Sequence, residues 1–311
     1  MPRRAASVGM ALLATLLGCA VDPAATSVHE AGPIQTVQLG DARAFARLRE
    51  AFVAANPGYD LEWHAGVRSL PKAACDRVAF VQAVRGRPAD PAVPPTVGDV
   101  LTVRAGEEWR LAGEGQVDVL AFSLPIRLPA ELPALVRPDW DPKITDTPGG
   151  CATETGAYRR ILLTWKPEVG PYVLHALNAH RVRITDSFSH YHPVDGGFDE
   201  FYLVQMAGPD ARLLTSTEVP AIEARAVTRE QAATLVRSQP LQVGQLVYLP
   251  RGTMHRGLGG ALVQVISVPG FVPNTEIGVD HHLWAINVAL GLEGDQRLPL
   301  NVVAARTAVV K

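Results

Sequence analysis

The segment from residue 190 to residue 255 limits the possible fold more than any other part of this 311-residue chain. It holds His190-Tyr191-His192, then Glu200, then Gly244, followed after five residues by Pro250-Arg251-Gly252-Thr253-Met254-His255. Residues i and i+2 of a β-strand point to the same face, so His190 and His192 share one side of a strand. A turn signal at Val194-Asp195-Gly196-Gly197-Phe198 separates them from Glu200, which opens a strand whose Tyr202 and Val204 lie on its own face. His255 arrives from a separate hairpin, just after the bend at Pro250-Arg251-Gly252. Groups spaced this way do not share a helix face, whereas a closed β-barrel can gather them on one ion.

The rest of the chain agrees with an all-β reading. Hydrophobic residues make up 47%, and 27 glycines and 25 prolines favour many short elements joined by turns. Short Val/Leu/Ile runs predict strands at 78–84, 100–103, 117–122, 161–165, 182–184, 201–206, 246–249 and 261–268. Three helices interrupt them. The first spans 41–56, with Phe45, Leu48 and Phe52 at helical spacing, Asp41 as cap and Pro57-Gly58 as stop. The second spans 229–237, where Thr228 and Gln231 have capping-box spacing. The third follows Asp280, with Leu283, Ile286 and Leu290 on one face and Gly291 as its end. Gly257-Leu258-Gly259-Gly260 reads as a turn between two strands, not a phosphate loop, because no helix follows.

A weak internal repeat doubles the pattern. Asp76-Arg-Val-Ala-Phe-Val-Gln82 aligns with Asp199-Glu-Phe-Tyr-Leu-Val-Gln205. Gly98, five residues, then Arg104-Ala105-Gly106-Glu107-Glu108-Trp109 keeps the frame of Gly244 to His255. In the earlier copy Arg77 stands for Glu200, Arg104 for Pro250 and Trp109 for His255. That copy has His64 as its one imidazole, which makes no site.

These residues carry a family resemblance. The block Gly244–His255 matches the second cupin motif, G-x5-P-x-G-x2-H, at all four defined positions, and His190-Tyr191-His192 with Glu200 resembles the first. The chain resembles a bicupin whose N-terminal barrel has lost its ligands. The resemblance implies two cupin-like domains with the double-stranded β-helix (jelly-roll) fold, and a metal held by His190, His192, Glu200 and His255. Seven residues separate His192 from Glu200 where the family has three or four, so Asp195 and Asp199 stand as alternative carboxylates. Ile184 occupies a usual glycine position, and Gly259 stands where Asn is frequent. Three imidazoles and a carboxylate suit one divalent transition metal, with Fe or Mn favoured and Zn, Ni, Co and Cu compatible. Four ligands on a six-coordinate ion leave two positions for water, oxygen or a substrate. The implied function is a mononuclear metalloenzyme of dioxygenase-like type acting on a small organic substrate. The alternative is a non-catalytic binding lipoprotein for a metal, sugar or small acid.

Other residues are assigned less. Tyr191 and Tyr202 are expected to line the pocket, with no catalytic role. His175 and His180 are read as structural or as support for the ligands, and His281 and His282 as surface residues. Ser187 and Ser189 lie near histidines without a nucleophile–base arrangement, and the sequence contains no P-loop, G-x-S-x-G or C-x-x-C pattern. The formal charge of −2 and the absence of Lys/Arg runs argue against nucleic acid as a partner.

The first residues read as a targeting segment. Arg3 and Arg4 precede an apolar stretch from Val8 to Leu17, and Leu16-Leu17-Gly18-Cys19 resembles the bacterial lipobox, in which the cysteine is lipidated. The expected organisation is a lipoprotein signal peptide (1–18), a flexible tether (19–40), a degenerate cupin-like domain (41–125), a surface-wrapping linker (126–158), a metal-binding cupin domain (159–275) and a C-terminal helix and tail (276–311). Location follows as the periplasmic face or outer surface of a bacterial membrane, with contact through the lipid anchor alone. A small molecule is the expected partner, and the family's frequent dimerisation allows a homodimer. With Cys19 lipidated, Cys75 and Cys151 remain as an even pair in an oxidising compartment, which predicts a disulfide between them. Thiol counting on denatured protein should then find neither of them free until reductant is added. Two titratable thiols without reductant would contradict the pairing.

Overall fold

In a computed structural model, residues 32–86, 92–147, 149 and 158–311 are described. The expected signal segment, Cys19 and Cys151 lie outside them. Cys75 is disulfide-bonded to a partner that also lies outside the described residues. Among the described residues no helix is long and apolar enough to cross a membrane.

The chain is mostly β-sheet, with two jelly-roll units and a few short helices. The larger sheet runs in the order Gln35–Gln38, Gln245–Leu249, Asp199–Ala207, Met254–Val268, Asn178–Asp186, Arg159–Leu163, with every pair antiparallel. Alternation sorts its side chains. Phe201 and Leu203 face a core shared with the first unit, while Tyr202 and Val204 face the barrel interior with Val182, Val247, Val263 and Val265.

Met254–Val268 joins the two walls of this barrel. From Ala261 onward it pairs with Asn178–Asp186 and Asp199–Ala207, and before Gly259 it pairs with Arg212–Ser216. The predicted turn at 257–260 is therefore a bend inside one continuous strand. Gly259 and Gly260 have φ of 78° and 86°, and a Cβ on Gly259 would lie 2.0 Å from the Asp210 carbonyl oxygen. Only glycine satisfies both conditions.

The first unit has a five-stranded sheet ordered Asp60–Val67, Gln116–Ser123, Arg77–Arg85, Val100–Val103, Leu135–Val136, with Ser69–Leu70 pairing Trp109–Arg110 beside it. Leu70, Val81, Leu101, Val119 and Ala121 fill its interior. The repeat is visible in its hydrogen bonds. Gly98 N–H donates to Val81 O at 2.9 Å, as Gly244 N–H donates to Val204 O at 3.0 Å. Asp76 accepts from Ala105 N–H at 2.7 Å, as Asp199 accepts from Arg251 N–H at 2.9 Å. Each strand is irregular at its glutamine, and the two amides cross the interface reciprocally. Gln82 Nε2 donates to Val204 O at 2.8 Å, and Gln205 Nε2 reaches Val81 O at 3.5 Å.

The helix Ala42–Ala55 starts where Asp41 accepts from the Arg43 and Ala44 N–H groups. It buries Phe45, Leu48 and Phe52 between the two units. Phe52 sits edge-on to Tyr59, Phe122, Phe201 and Tyr248, with centroids 5.1 to 6.3 Å away. The segment between the units anchors Leu128, Leu132, Val136 and Ile144 in the shared core. Two expectations change. Gln35–Gln38, placed in the tether, is a strand of the second barrel. The helix at Arg229 stops at Leu235, because extended Val236 leads into Arg237–Pro240, which pairs with Arg212–Ser216. The capping box at Thr228 and Gln231 is present. The helix Val219–Ala224 has no counterpart in the sequence reading.

Because Phe52 touches both units, Phe52→Ala should cost about 3–5 kcal/mol. Denaturant unfolding followed by fluorescence and by circular dichroism should show one lowered transition common to both probes. Loss of one unit while the other keeps its midpoint would show that the shared core does not couple them.

Candidate metal centre

Three strands and a loop bring the four predicted ligands together. His190 lies on His190–Tyr191 and is directly opposite His255 on Met254–Val268, their ring centroids 4.2 Å apart. Glu200 is the second residue of Asp199–Ala207, opposite Ser267 and Leu249. His192 follows its strand by one residue and packs its ring on Phe198 at 3.8 Å. One candidate ligand atom from each of the four lies within 4.8 Å of all the others, and all four side chains are buried.

The imidazoles are oriented by the backbone. His190 Nδ1 faces Phe188 O, His192 Nδ1 faces Thr275 O and His255 Nδ1 faces Thr253 O, each at 3.2 Å. A carbonyl oxygen only accepts, so these contacts put the ring hydrogen on Nδ1 and leave a lone pair on Nε2. The three Nε2 atoms are buried without hydrogen-bond partners. Two of them nevertheless approach the Glu200 carboxylate, His255 at 3.1 Å and His192 at 3.5 Å. Lone pairs aimed at a carboxylate repel unless a cation lies between, so the donor set fits a divalent metal.

The longer gap before Glu200 is taken up by the turn at 194–196 and by Phe198. Asp195 is exposed on that turn. Asp199 lies on the opposite face of its strand, where Arg251, Tyr248 and Asn56 all donate to it. Glu200 is thus the carboxylate among the imidazoles. Tyr202 is buried edge-on to His255 at 6.0 Å. Tyr191, expected in the pocket, points instead into the helical layer and donates to Glu223 at 2.5 Å, because i+1 of a strand faces away from His190 and His192.

Residues that the sequence left unassigned support the site. Asp280 accepts from Ser189 N–H at 2.7 Å and Asn301 N–H at 2.8 Å, fixing the strand that carries His190. Thr275 holds His192. Neither has a sequence signal, since each acts over more than eighty positions through tertiary contact. His175 is exposed, and His281 and His282 pack on each other at 3.9 Å at the start of Asp280–Leu290. His180 belongs to the cavity beside Glu200. This cavity of about 280 Å³ is lined by Glu200, Ser267, His180, Glu276 and Arg159 among others.

Electrostatics follow burial and neighbours. Burial, then the neighbouring His255 and His192, holds His190 well below the usual imidazole range. Burial alone would raise the Glu200 carboxyl, but the adjoining His192 and His255 rings hold it well below the usual carboxylate range. Burial, aided by Arg159, pushes His180 down to about 3. Burial raises Glu276.

No protein-family model matches the chain, and no curated protein matches it. Similar solved structures include oxalate decarboxylase from Bacillus subtilis, with TM-score 0.46 and 12% identity over 88% of this chain and 82% of that one. A variant of salicylate 1,2-dioxygenase from Pseudoaminobacter salicylatoxidans gives TM-score 0.43 and 12% identity over 77% and 85%. AerE from Microcystis aeruginosa gives 0.40 and 11% over 68% and 86%. These likenesses are distant both in sequence and in superposition.

The buried imidazoles predict a pH dependence of stability. His180 binds a proton near 6.5 when unfolded and only near 3 when folded, so the unfolded state is favoured as pH falls between these values. The stability it contributes is complete above about pH 6.5 and is lost progressively toward about pH 3, and His190 acts in the same direction. The melting temperature of metal-free protein should fall between about pH 7.5 and 4.5, and His180→Gln should flatten that slope. An unchanged slope in the variant would contradict the assignment.

Proposed function

We propose that the chain is a mononuclear metalloenzyme of the cupin type, with dioxygenase-like chemistry on a small organic substrate. The observation that carries the reading is the convergence of three unpartnered imidazole Nε2 atoms and one carboxylate beside a cavity. His190, His192, Glu200 and His255 would hold the ion, Fe or Mn being favoured, and when bound it would offer open positions for oxygen or a substrate oxygen.

The chain's own residues supply the setting. The carbonyls of Phe188, Thr253 and Thr275 fix the imidazole tautomers, so the lone pairs need no rearrangement on loading. Phe188, stacked on His190 at 4.5 Å, and Phe198 on His192 shield the ligands from water. Glu200 contributes the one negative charge and borders the cavity, so a substrate entering there would meet the ligand set from one side. We further propose that the lipobox at Cys19 tethers the protein outside the cytoplasm, with a small molecule as partner and a homodimer as its assembly.

Elemental analysis of protein purified without metal-affinity resin should find about one Fe or Mn per chain, lost in His192→Ala and His255→Ala. Oxygen uptake against a panel of small organic substrates should then depend on that metal. Metal-free wild-type protein whose melting temperature His192→Ala does not alter would overturn the reading.

A further inference from the structure

The segment from Thr275 to Gly278 holds two of the four ligands in place. Thr275 O orients the His192 ring, and Gly278 lies opposite His190 where Ile277–Gly278 pairs with His190–Tyr191. The outer edge of this short strand is covered by residues 309–311. Gly278 N–H donates to Val309 O at 2.7 Å, and Glu276 and Lys311 exchange backbone hydrogen bonds at 3.0 Å each way. Glu276 and Lys311 are thus a hydrogen-bonded antiparallel pair, and Ile277 and Val310 are the close pair without hydrogen bonds beside it. Successive residues alternate between faces, so Val309 and Lys311 turn to the side of Glu276 while Val310 turns outward, 55% exposed.

The inward side of these residues lies against the metal centre. Phe188 stacks on His190 with centroids 4.5 Å apart, and the Lys311 ammonium sits over the same Phe188 ring at 4.6 Å. Lys311 and Glu276 also line the cavity beside Glu200. Gly278 permits the close approach, since a Cβ there would stand 3.0 Å from Val309 Cβ, 3.1 Å from Val309 O and 3.4 Å from Phe188 Cδ2. The attachment of this stretch to the rest of the chain is slight. Asn301 is held by Asp280 and accepts from the Val303 and Ala304 N–H groups, and Ala304 is buried. Thr307 and Ala308 are then exposed, and no hydrogen bond fixes either among the described residues. The chain is fastened again at Val309 and Lys311, so a short piece hangs on an unattached link, the kind of segment that opens far more readily than a barrel.

We propose that residues 309–311 are a strap that keeps the ligand set closed, and that its release lets a metal ion enter or leave. This rests on the metalloenzyme reading and adds how the site opens. In the closed form Lys311 covers the face of Phe188 that His190 does not use. The Glu276–Lys311 pair steadies the segment that carries the Thr275 carbonyl, so Val309 and Lys311 are positioning residues that touch no ligand atom themselves. Release uncovers Phe188, widens the cavity on that side and loosens the supports of His190 and His192. The strap pairs with residues 276–278, and the long strands carrying Glu200 and His255 stay paired to each other throughout.

A reversible lock tests the proposal. Ile277→Cys together with Val310→Cys puts two thiols on the close cross-strand pair, where a disulfide can form on the face away from the cavity. The full chain is loaded with Mn(II), and loss of the metal into excess EDTA is followed over time. The oxidised lock should release the metal about tenfold more slowly than the wild-type protein, and deletion of residues 309–311 should release it about tenfold faster. Reductant should return the lock to the wild-type rate and leave the wild-type rate itself unchanged, which separates the new bond from the disulfide at Cys75. The lock decides the matter even where the deletion destabilises the fold. Equal release from its oxidised and reduced forms, faster release from the oxidised form, or two cysteines that do not pair under oxidant would overturn the strap and leave the metal centre standing. A chain that takes up no metal would overturn the metalloenzyme reading, and the strap's role with it.

Discussion

Everything about the second barrel depends on the mutual approach of four polar groups in a space that excludes water. Three imidazoles and a carboxylate buried in an apolar barrel are unfavourable by several kcal/mol unless each finds a partner. The outer nitrogens of the imidazoles find backbone carbonyls, and their inner nitrogens face one another and the carboxylate. The surrounding structure can be read as what holds that arrangement closed. The His190–His255 strand pair sets the spacing, the glycine bend lets one strand reach both walls, and Asp280 pins the His190 segment.

Much of this arrangement is legible in the sequence, for identifiable reasons. His190 and His192 are two apart on a strand, so their shared face follows from pleating alone. The Asp76 and Asp199 runs repeat, and the shared hydrogen bonds show why the same residues recur at the same offsets. The apolar spacing of Phe45, Leu48 and Phe52 gives the first helix and its buried face. What escapes the sequence is tertiary. Thr275, Asp280 and His180 gain their roles from strands that meet only after folding, and Glu276 reaches the cavity from a different segment again. Gly259 looks like a turn because a kink within a strand and a turn between strands demand the same backbone dihedral. Tyr191 looks like a pocket residue because its neighbours are ligands, yet alternation sends it the other way.

The two copies of the repeat have kept their joint and diverged in their interiors. Gln82 and Gln205 reach across to each other's strand, a self-complementary contact of the kind that relates two equal subunits about an axis. Asp76 and Asp199 fasten equivalent loops. Where the second barrel has Glu200, the first has Arg77, a buried guanidinium that donates to the Pro71 carbonyl, and its centre is filled with aliphatic side chains. A barrel packed that way contributes cohesion, through its aliphatic centre and the broad apolar face it shares with its neighbour.

The path of the chain between the two barrels has a further consequence. Gln35–Gln38 borders the second barrel, although the helix and strands that follow it build the other one. The second barrel thus borrows its outermost strand from the far side of the sequence. A fragment beginning after the linker would present Gln245–Leu249 with one row of N–H and C=O groups unpaired, an open edge of the sort that recruits strands from other chains. The two halves look separable as sequence, but neither is a complete object in space.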